Sequence, residues 1–252
     1  MTSPVNQPAR SAVASAAPAP RGARRARRIG PFVLRPFWKI VLHGAENVPA
    51  TGPVILAGNH SGFLDGPLLV GLSPRPVHFM VKREMFRGAV GRALHWLGQI
   101  KVDREGTDRA AILAALGALE QGGVLGVFPE GTRSADDFIT MHNGLAYFAL
   151  RSGAPVVPVA CLGSGTRGTT AGSLPRLRAR LDVVYGAPVV LERGSGRKAV
   201  AAASEQLRDV LRAHIEHARV LTGRVDDTAP RAVEQAQPQA PQQAGDASAV
   251  AE

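Results

Sequence analysis

The chain has 252 residues, 45% of them apolar, which marks a globular protein with material for one α/β domain or two small ones. Its single cysteine, Cys161, excludes an intramolecular disulfide and fits a reducing compartment, and no apolar run reaches the roughly 18 to 20 residues that span a bilayer. The formal charge of +10 is uneven: residues 1–30 carry six Arg and no acid, residues 225–252 five acids and one Arg, and the middle retains about +8, favouring anionic partners such as phosphate esters, anionic lipid or nucleic acid.

Residues 1–28 are rich in Ala, Pro, Ser and Arg, a composition that predicts disorder. They do not read as a signal peptide, because the Arg cluster of residues 21–28 is followed only by Ile29-Gly30-Pro31-Phe32-Val33-Leu34 before Arg35. A cytoplasmic protein is expected. Residues 29–50 set Phe32, Phe37 and Trp38 among Arg35 and Lys39 and suit an amphipathic segment at a membrane interface. Each basic residue there adds roughly 1 kcal/mol near anionic lipid. A first helix or strand packed on the core fits equally well, and the two readings are compatible.

Residues 51–223 read as one α/β domain. Val54-Ile55-Leu56-Ala57-Gly58 has the length of a buried strand, and Asn59-His60-Ser61-Gly62-Phe63-Leu64-Asp65 follows where it hands over to a helix. A His and an Asp five apart lie on different faces of a continuous helix, so these two meet only across a turn, which Gly62 supplies. Asp65, ahead of Gly66 and Pro67, suits a helix N-cap or first turn. Held there, it can accept a hydrogen bond from one ring nitrogen of His60, leaving the other as a base towards a substrate hydroxyl. Taken alone, the same motif also fits a turn whose Asn, Ser and Asp merely cap backbone groups.

Strands and helices then alternate. A strand is predicted over 77–82, a helix over 88–97, a short strand over 100–104, and a helix over 108–120 with the stripe Ile112, Ala115, Leu116 and Leu119, ended by Gly122-Gly123. Buried strands over 124–128 and 156–162 flank a helix over 144–151, and residues 181–185 with Val189 and Val190 add one or two more. The pattern predicts a single α/β domain with a central, mostly parallel sheet flanked by helices. A last helix runs from Gly196 through Leu207, Val210, Leu211 and Ile215 to Thr222, and residues 224–252 are predicted to be a disordered tail.

A second site lies in Phe128-Pro129-Glu130-Gly131-Thr132-Arg133-Ser134. Gly131 lets backbone N–H groups approach an anion, Arg133 offers the planar fork that binds phosphate oxygens, and Glu130 can hold that guanidinium or a substrate hydroxyl. In a parallel sheet both segments follow strands and open onto one crevice at its carboxyl edge. Two further strand ends bring Arg104, read as a site cation, and Lys82, which reads equally well as a solvated charge.

In order, Asn59-His60-x4-Asp65, Asp103-Arg104, Phe128 to Ser134 and Val157-Pro158-Val159 resemble the four blocks of the lysophospholipid acyltransferase family, which includes the bacterial 1-acyl-sn-glycerol-3-phosphate acyltransferases. The resemblance covers roughly residues 38 to 190. It implies a glycerol-3-phosphate acyltransferase-like fold, with His60 as the base that deprotonates a glycerol hydroxyl and Asp65 as its partner. Arg104, Glu130, Gly131 and Arg133 would bind the glycerol phosphate, with Thr132 and Lys82 as further substrate-binding candidates, and Val157-Pro158-Val159 would line the acyl-donor side. The implied reaction moves a fatty acyl group from acyl-CoA or acyl-ACP (acyl carrier protein) to 1-acyl-glycerol 3-phosphate, directly and with neither metal nor other cofactor. The implied setting is an anionic membrane surface at the inner face of the cell membrane, with a lysophospholipid acceptor and no nucleic acid.

One departure bears on the acceptor more than on the reaction. Relatives often carry a basic residue before the Gly that opens the next helix, whereas Met141-His142-Asn143 precede Gly144 here. Another lysophospholipid or a glycolipid is the alternative acceptor. A serine hydrolase would need a Gly-x-Ser-x-Gly elbow, which Ser61 lacks, and a non-catalytic membrane-lipid-binding protein would need neither His60 nor Asp65. Few aromatics interleave the Arg residues for stacking on bases.

Overall fold

In the computed structural model, which describes residues 21–103, 108–129, 135–165 and 174–224, with backbone alone over 135–142, alternating apolar runs and stripes become strands and helices in the expected order. They are α1 (Arg21–Leu34), β1 (Lys39–His43), β2 (Val54–Gly58), α2 (Asp65–Leu72), β3 (Val77–Lys82), α3 (Gly88–Trp96) and β4 (Ile100–Val102). After them come α4 (Arg109–Glu120), β5 (Val124–Val127), α5 (Ala135–Ser152), β6 (Val156–Leu162), β7 (Arg180–Tyr185) and α6 (Gly196–Thr222).

The strands form one seven-stranded sheet in the order β1-β7-β6-β2-β5-β3-β4. Every neighbouring pair is parallel except β6 with β7. Every residue of β2, β5 and β6 is buried, as a parallel sheet covered on both faces requires. Successive residues of β2 serve opposite layers. Leu56 joins Leu68, Leu69, Phe79, Val157 and Leu181 on one side, while Ile55 and Ala57 join Leu119, Leu125, Leu145 and Leu207 on the other.

β2 is thus central, with β5 on one side and β6 on the other, and the parallel order brings the carboxyl ends of β2, β5, β6 and β3 to one edge. The site-bearing turns leave from that edge.

Four expectations need correction. Of residues 1–28, expected to be disordered, 21–28 belong to α1, and residues 1–20 lie outside the described residues. Gly22, Ala23, Gly30 and Leu34 make a narrow buried stripe on an Arg-rich helix, a pattern that composition conceals. The packing on α2 is so close that a Cβ on Gly30 would lie 2.2 Å from the Gly71 carbonyl oxygen, and Arg27 Nη1 donates to the Pro74 carbonyl at 3.0 Å. Residues 29–50 are not one amphipathic segment, because α1 ends at Leu34 and β1 pairs with β7 at the edge of the sheet, in keeping with the other reading of a first helix or strand packed on the core.

Helix α5 begins at Ala135 rather than at 144. Gly144 lies within it, where a glycine costs about 1 kcal/mol but does not stop a helix. Val189 makes an isolated antiparallel bridge to Val156 instead of a strand, since Pro188 before it has no N–H to offer a ladder. The predicted tail lies outside the described residues except for Arg224.

Arg224 helps to close the β1–β7 edge. Asp182, wholly buried, accepts from His43 Nε2 at 3.0 Å, Arg180 Nη2 at 2.9 Å and Arg224 Nη2 at 3.2 Å. Burial opposes its charge, but these three donors outweigh that and hold the carboxyl below the usual carboxylate range. The C-terminal end of α6 is tied to the sheet by this ion cluster.

Two buried histidines set a pH dependence. His78 Nδ1 lies 2.8 Å from the Gly98 carbonyl and His214 Nε2 3.0 Å from that of Val184, and burial pushes both rings below the ordinary histidine value. The unfolded chain therefore binds protons more readily, so stability is full above about pH 6.5 and declines as pH falls through that value. The urea midpoint is expected to be lower at pH 5.5 than at pH 7.5, and His78→Gln with His214→Gln to flatten the slope.

Candidate active site

Where β2 stops, Asn59 takes over its pairing with β6 through its side chain. Its Oδ1 accepts from the Cys161 N–H at 2.7 Å, and its Nδ2 donates to the Cys161 carbonyl at 3.0 Å and to Ser61 Oγ at 2.6 Å. The two loops then run in backbone contact. A Cβ on Gly62 would lie 2.4 Å from the Ser164 carbonyl oxygen, and one on Gly165 would lie 2.6 Å from that of Ser61. Only glycine allows this approach.

The turn delivers Asp65 as the first residue of α2, where the positive end of the helix dipole favours a carboxylate. Asp65 has no exposure, and its Oδ2 accepts from the Gly62 N–H at 2.8 Å and from His60 Nδ1 at 3.2 Å. Its Oδ1 accepts from Ser164 Oγ. Because a carboxylate only accepts, Nδ1 carries the imidazole proton and Nε2 the lone pair. The His60 side chain remains 37% exposed, so the ring is accessible and that lone pair is chemically able to accept a proton.

The plane of the ring is set by stacking. His60 lies on Phe128 with centroids 4.6 Å apart and planes 13° from parallel, and Phe128 lies on Phe79 at 4.9 Å and 12°. Phe79 in turn lies across Gly126, its register partner on β5, where a Cβ would come within 2.2 Å of the ring. Buried Gln99 holds the Phe79 backbone by accepting its N–H at 2.8 Å. Beneath the turn, burial and the charge of Asp65 push the Cys161 thiol well above its ordinary value, so it is neutral and no nucleophile.

The predicted pair His60 and Asp65 is therefore brought together. Lys82 ends β3 at the same edge of the sheet, opposite Val102 of β4, with no ion pair among the described residues. Its neighbour Arg83 is bound to Asp103 at 2.9 Å and bridges the ends of β3 and β4. Arg104, Glu130, Gly131, Thr132, Arg133 and His142 lie outside the residues whose side chains are described. Val157 and Val159 are core residues, packed with Leu56 and Leu68.

Sequence reasoning missed Ser164, Phe79 and Gly126. The signals that could have found them are a serine between Gly163 and Gly165 just after a buried strand, and a glycine inside the short strand β5, which often marks a close approach.

The profile of the family described as Acyltransferase matches residues 39–162. A 1-acyl-sn-glycerol-3-phosphate acyltransferase of Bacillus subtilis (strain 168) is 30% identical over 152 residues, which make up 60% of this chain and 73% of that protein. One of Borreliella burgdorferi is 31% identical over 125 residues, 48% of this chain and 50% of that protein. The crystal structure of the 1-acyl-sn-glycerophosphate (LPA) acyltransferase PlsC from Thermotoga maritima has a TM-score of 0.59, over 78% of this chain and 79% of that one. At 22% identity that likeness bears on the fold.

Gly126→Ala is expected to displace Phe79 and with it the support of His60. It should cost about 1 to 3 kcal/mol in urea unfolding, the usual penalty of overpacking, and should lower turnover in the protein that remains folded.

Proposed function

The chain belongs to the acyltransferase family, as an enzyme of the 1-acyl-sn-glycerol-3-phosphate acyltransferase type, and on that premise we propose that it acylates the free hydroxyl of 1-acyl-glycerol 3-phosphate from acyl-CoA or acyl-ACP. The observation that carries this reading is the His60–Asp65 pair at the carboxyl end of β2, with one ring nitrogen engaged and the ring partly exposed.

In the proposed reaction His60 Nε2 takes the hydroxyl proton as that oxygen attacks the thioester carbonyl. The new C–O bond forms, the C–S bond breaks, and the imidazolium returns the proton to the departing thiolate, giving ester and free thiol. Asp65 holds the ring in one tautomer and offsets its transient charge inside a buried site. A thioester is already activated, so a positioned base worth roughly 10²- to 10⁴-fold, with alignment of two bound substrates, is adequate without an acyl-enzyme. Arg104, Glu130, Gly131, Thr132 and Arg133, with Lys82, are the proposed phosphate-binding groups.

The proposed setting is the anionic inner face of the cell membrane, with peripheral attachment; no helix among the described residues is long and apolar enough to cross a bilayer. Helix α1 supports this reading. The contacts of Gly30 with Gly71 and Arg27 with Pro74 mean that α1 runs antiparallel to α2, so the C-terminal end of α1 lies near the start of α2. Exposed Phe32, at 81%, Val33 and Phe37 therefore share an end of the molecule with exposed Phe63, in the His60 turn itself. Apolar side chains beside exposed Arg35 and Lys39 are what an interfacial surface needs.

Transfer of labelled acyl groups from acyl-CoA and acyl-ACP to a panel of lysophospholipids and a glycolipid tests the reaction. His60→Ala is expected to lower transfer to 1-acyl-glycerol 3-phosphate by at least about 10²-fold while remaining folded. Full activity in this variant would refute the base. Transfer to another acceptor alone would assign a different head group, with His142 as the first position to examine, and a wild type inactive on the whole panel would favour lipid binding without catalysis. Separately, Phe32→Asp is expected to reduce co-sedimentation with vesicles containing phosphatidylglycerol and to leave turnover on a detergent-dispersed substrate unchanged.

A further inference from the structure

We propose that Ser164 is a positioning residue for the reaction, fixing through its hydroxyl the carboxylate that orients His60. This rests on the reading of His60 as the base. Ser164 lies in the loop after β6, 99 residues from Asp65 in sequence, and is wholly buried. Its Oγ donates to Asp65 Oδ1, while Oδ2 takes the Gly62 N–H and the His60 Nδ1–H. The two carboxylate oxygens thus have separate duties. One is anchored to the β6 loop, and the other faces the imidazole.

The anchoring is built into the backbone. Ser164 presents its carbonyl at the point where Gly62 has no side chain, Gly165 lies against Ser61, and the Asn59 amide grips both backbone groups of Cys161. These contacts fix the height of the β6 loop relative to the His60 turn, from which the hydroxyl reaches Oδ1. Without it, Oδ1 would lose its hydroxyl donor inside a buried site, and the carboxylate would be held through Oδ2 by Gly62 and His60. The titratable groups that face Asp65 among the described residues are His60 and Cys161, and the Cys161 thiol is neutral. A change in the charge held by Asp65 is therefore passed to His60. The Ser164 hydrogen bond draws on the carboxylate's charge, so its removal leaves a stronger acceptor for protonated imidazole.

The test compares wild type, Ser164→Ala, Ser164→Thr and His60→Ala, with kcat and KM for acyl-CoA and 1-acyl-glycerol 3-phosphate followed against pH and folding checked by circular dichroism. Ser164→Ala is expected to lower kcat by about 10- to 100-fold, the scale set by small misplacements of a catalytic group, with KM little changed. The acid limb of its pH–rate profile should move to higher pH, and Ser164→Thr, which keeps the hydroxyl, should recover most of the rate. The His60 ring titration, followed by NMR, should move the same way, a readout that needs no turnover. A folded Ser164→Ala variant with wild-type kcat, acid limb and ring titration overturns the proposal. Should that variant not fold, Ser164→Cys, nearly isosteric with a weaker donor, should show the same shifts at smaller size, and wild-type behaviour there overturns it equally. An inactive His60→Ala beside a fully active Ser164→Ala removes the Ser164 role alone, whereas an active His60→Ala removes the base and the proposal together.

Discussion

A carboxylate buried without exposure is the constraint around which this site is arranged. Taking Asp65 out of water is costly unless every oxygen meets donors, and the donors come from three places: the His60 ring, the Gly62 backbone and the Ser164 hydroxyl. Two of the three belong to the turn before α2, and the third belongs to the loop after β6. Satisfying the charge therefore demands that two loops distant in sequence lie in contact, and the glycines at 62 and 165 are the residues that permit it.

The sheet order makes that demand affordable. β6 and β5 flank β2 on its two sides, so the loop after β6 supplies the polar anchor and the segment after β5 supplies the aromatic support. One side of the His60 turn is held by hydrogen bonds and the ring itself by stacking on Phe128. Stacked rings fix a plane and hydrogen bonds fix a direction, and the base role proposed for His60 needs both. The line of support runs inward through Phe79 to Gly126, so a backbone position in the middle of the sheet governs a side chain at its rim.

Away from the site, the same chain manages charge in two ways. Asp182 is buried and paired with His43, Arg180 and Arg224, which knits β1, β7 and the end of α6 into one corner. The Arg residues of α1 lie on a helix whose small-residue stripe packs closely and whose one aromatic side chain, Phe32, faces outward. The first arrangement serves the fold. The second leaves Phe32 and Val33 exposed, with Arg35, Phe37 and Lys39 after them, at the end of the molecule where the His60 turn lies, which suits an enzyme of this family whose proposed acceptor resides in a membrane.

Much of this was legible in the residues. Apolar run lengths and stripes located the central strands and most helices, because burial on both faces of a parallel sheet leaves an uninterrupted apolar signature. The pairing of His60 with Asp65 followed from a glycine between them and a helix start beyond, both local properties. The first two turns of α1 escaped because the buried residues there are Gly22 and Ala23, which carry little hydrophobic signal, and the extension of α5 escaped because Gly144 resembles a terminator. Sequence by itself thus determined which residues could act as base and partner and on which kind of turn they sit. Tertiary structure alone decided that Ser164 would complete the carboxylate and that Phe79 and Gly126 would carry the imidazole, because those contacts join segments whose separation along the chain leaves no local trace. Only the closing of β5 and β6 around β2 brings them within reach.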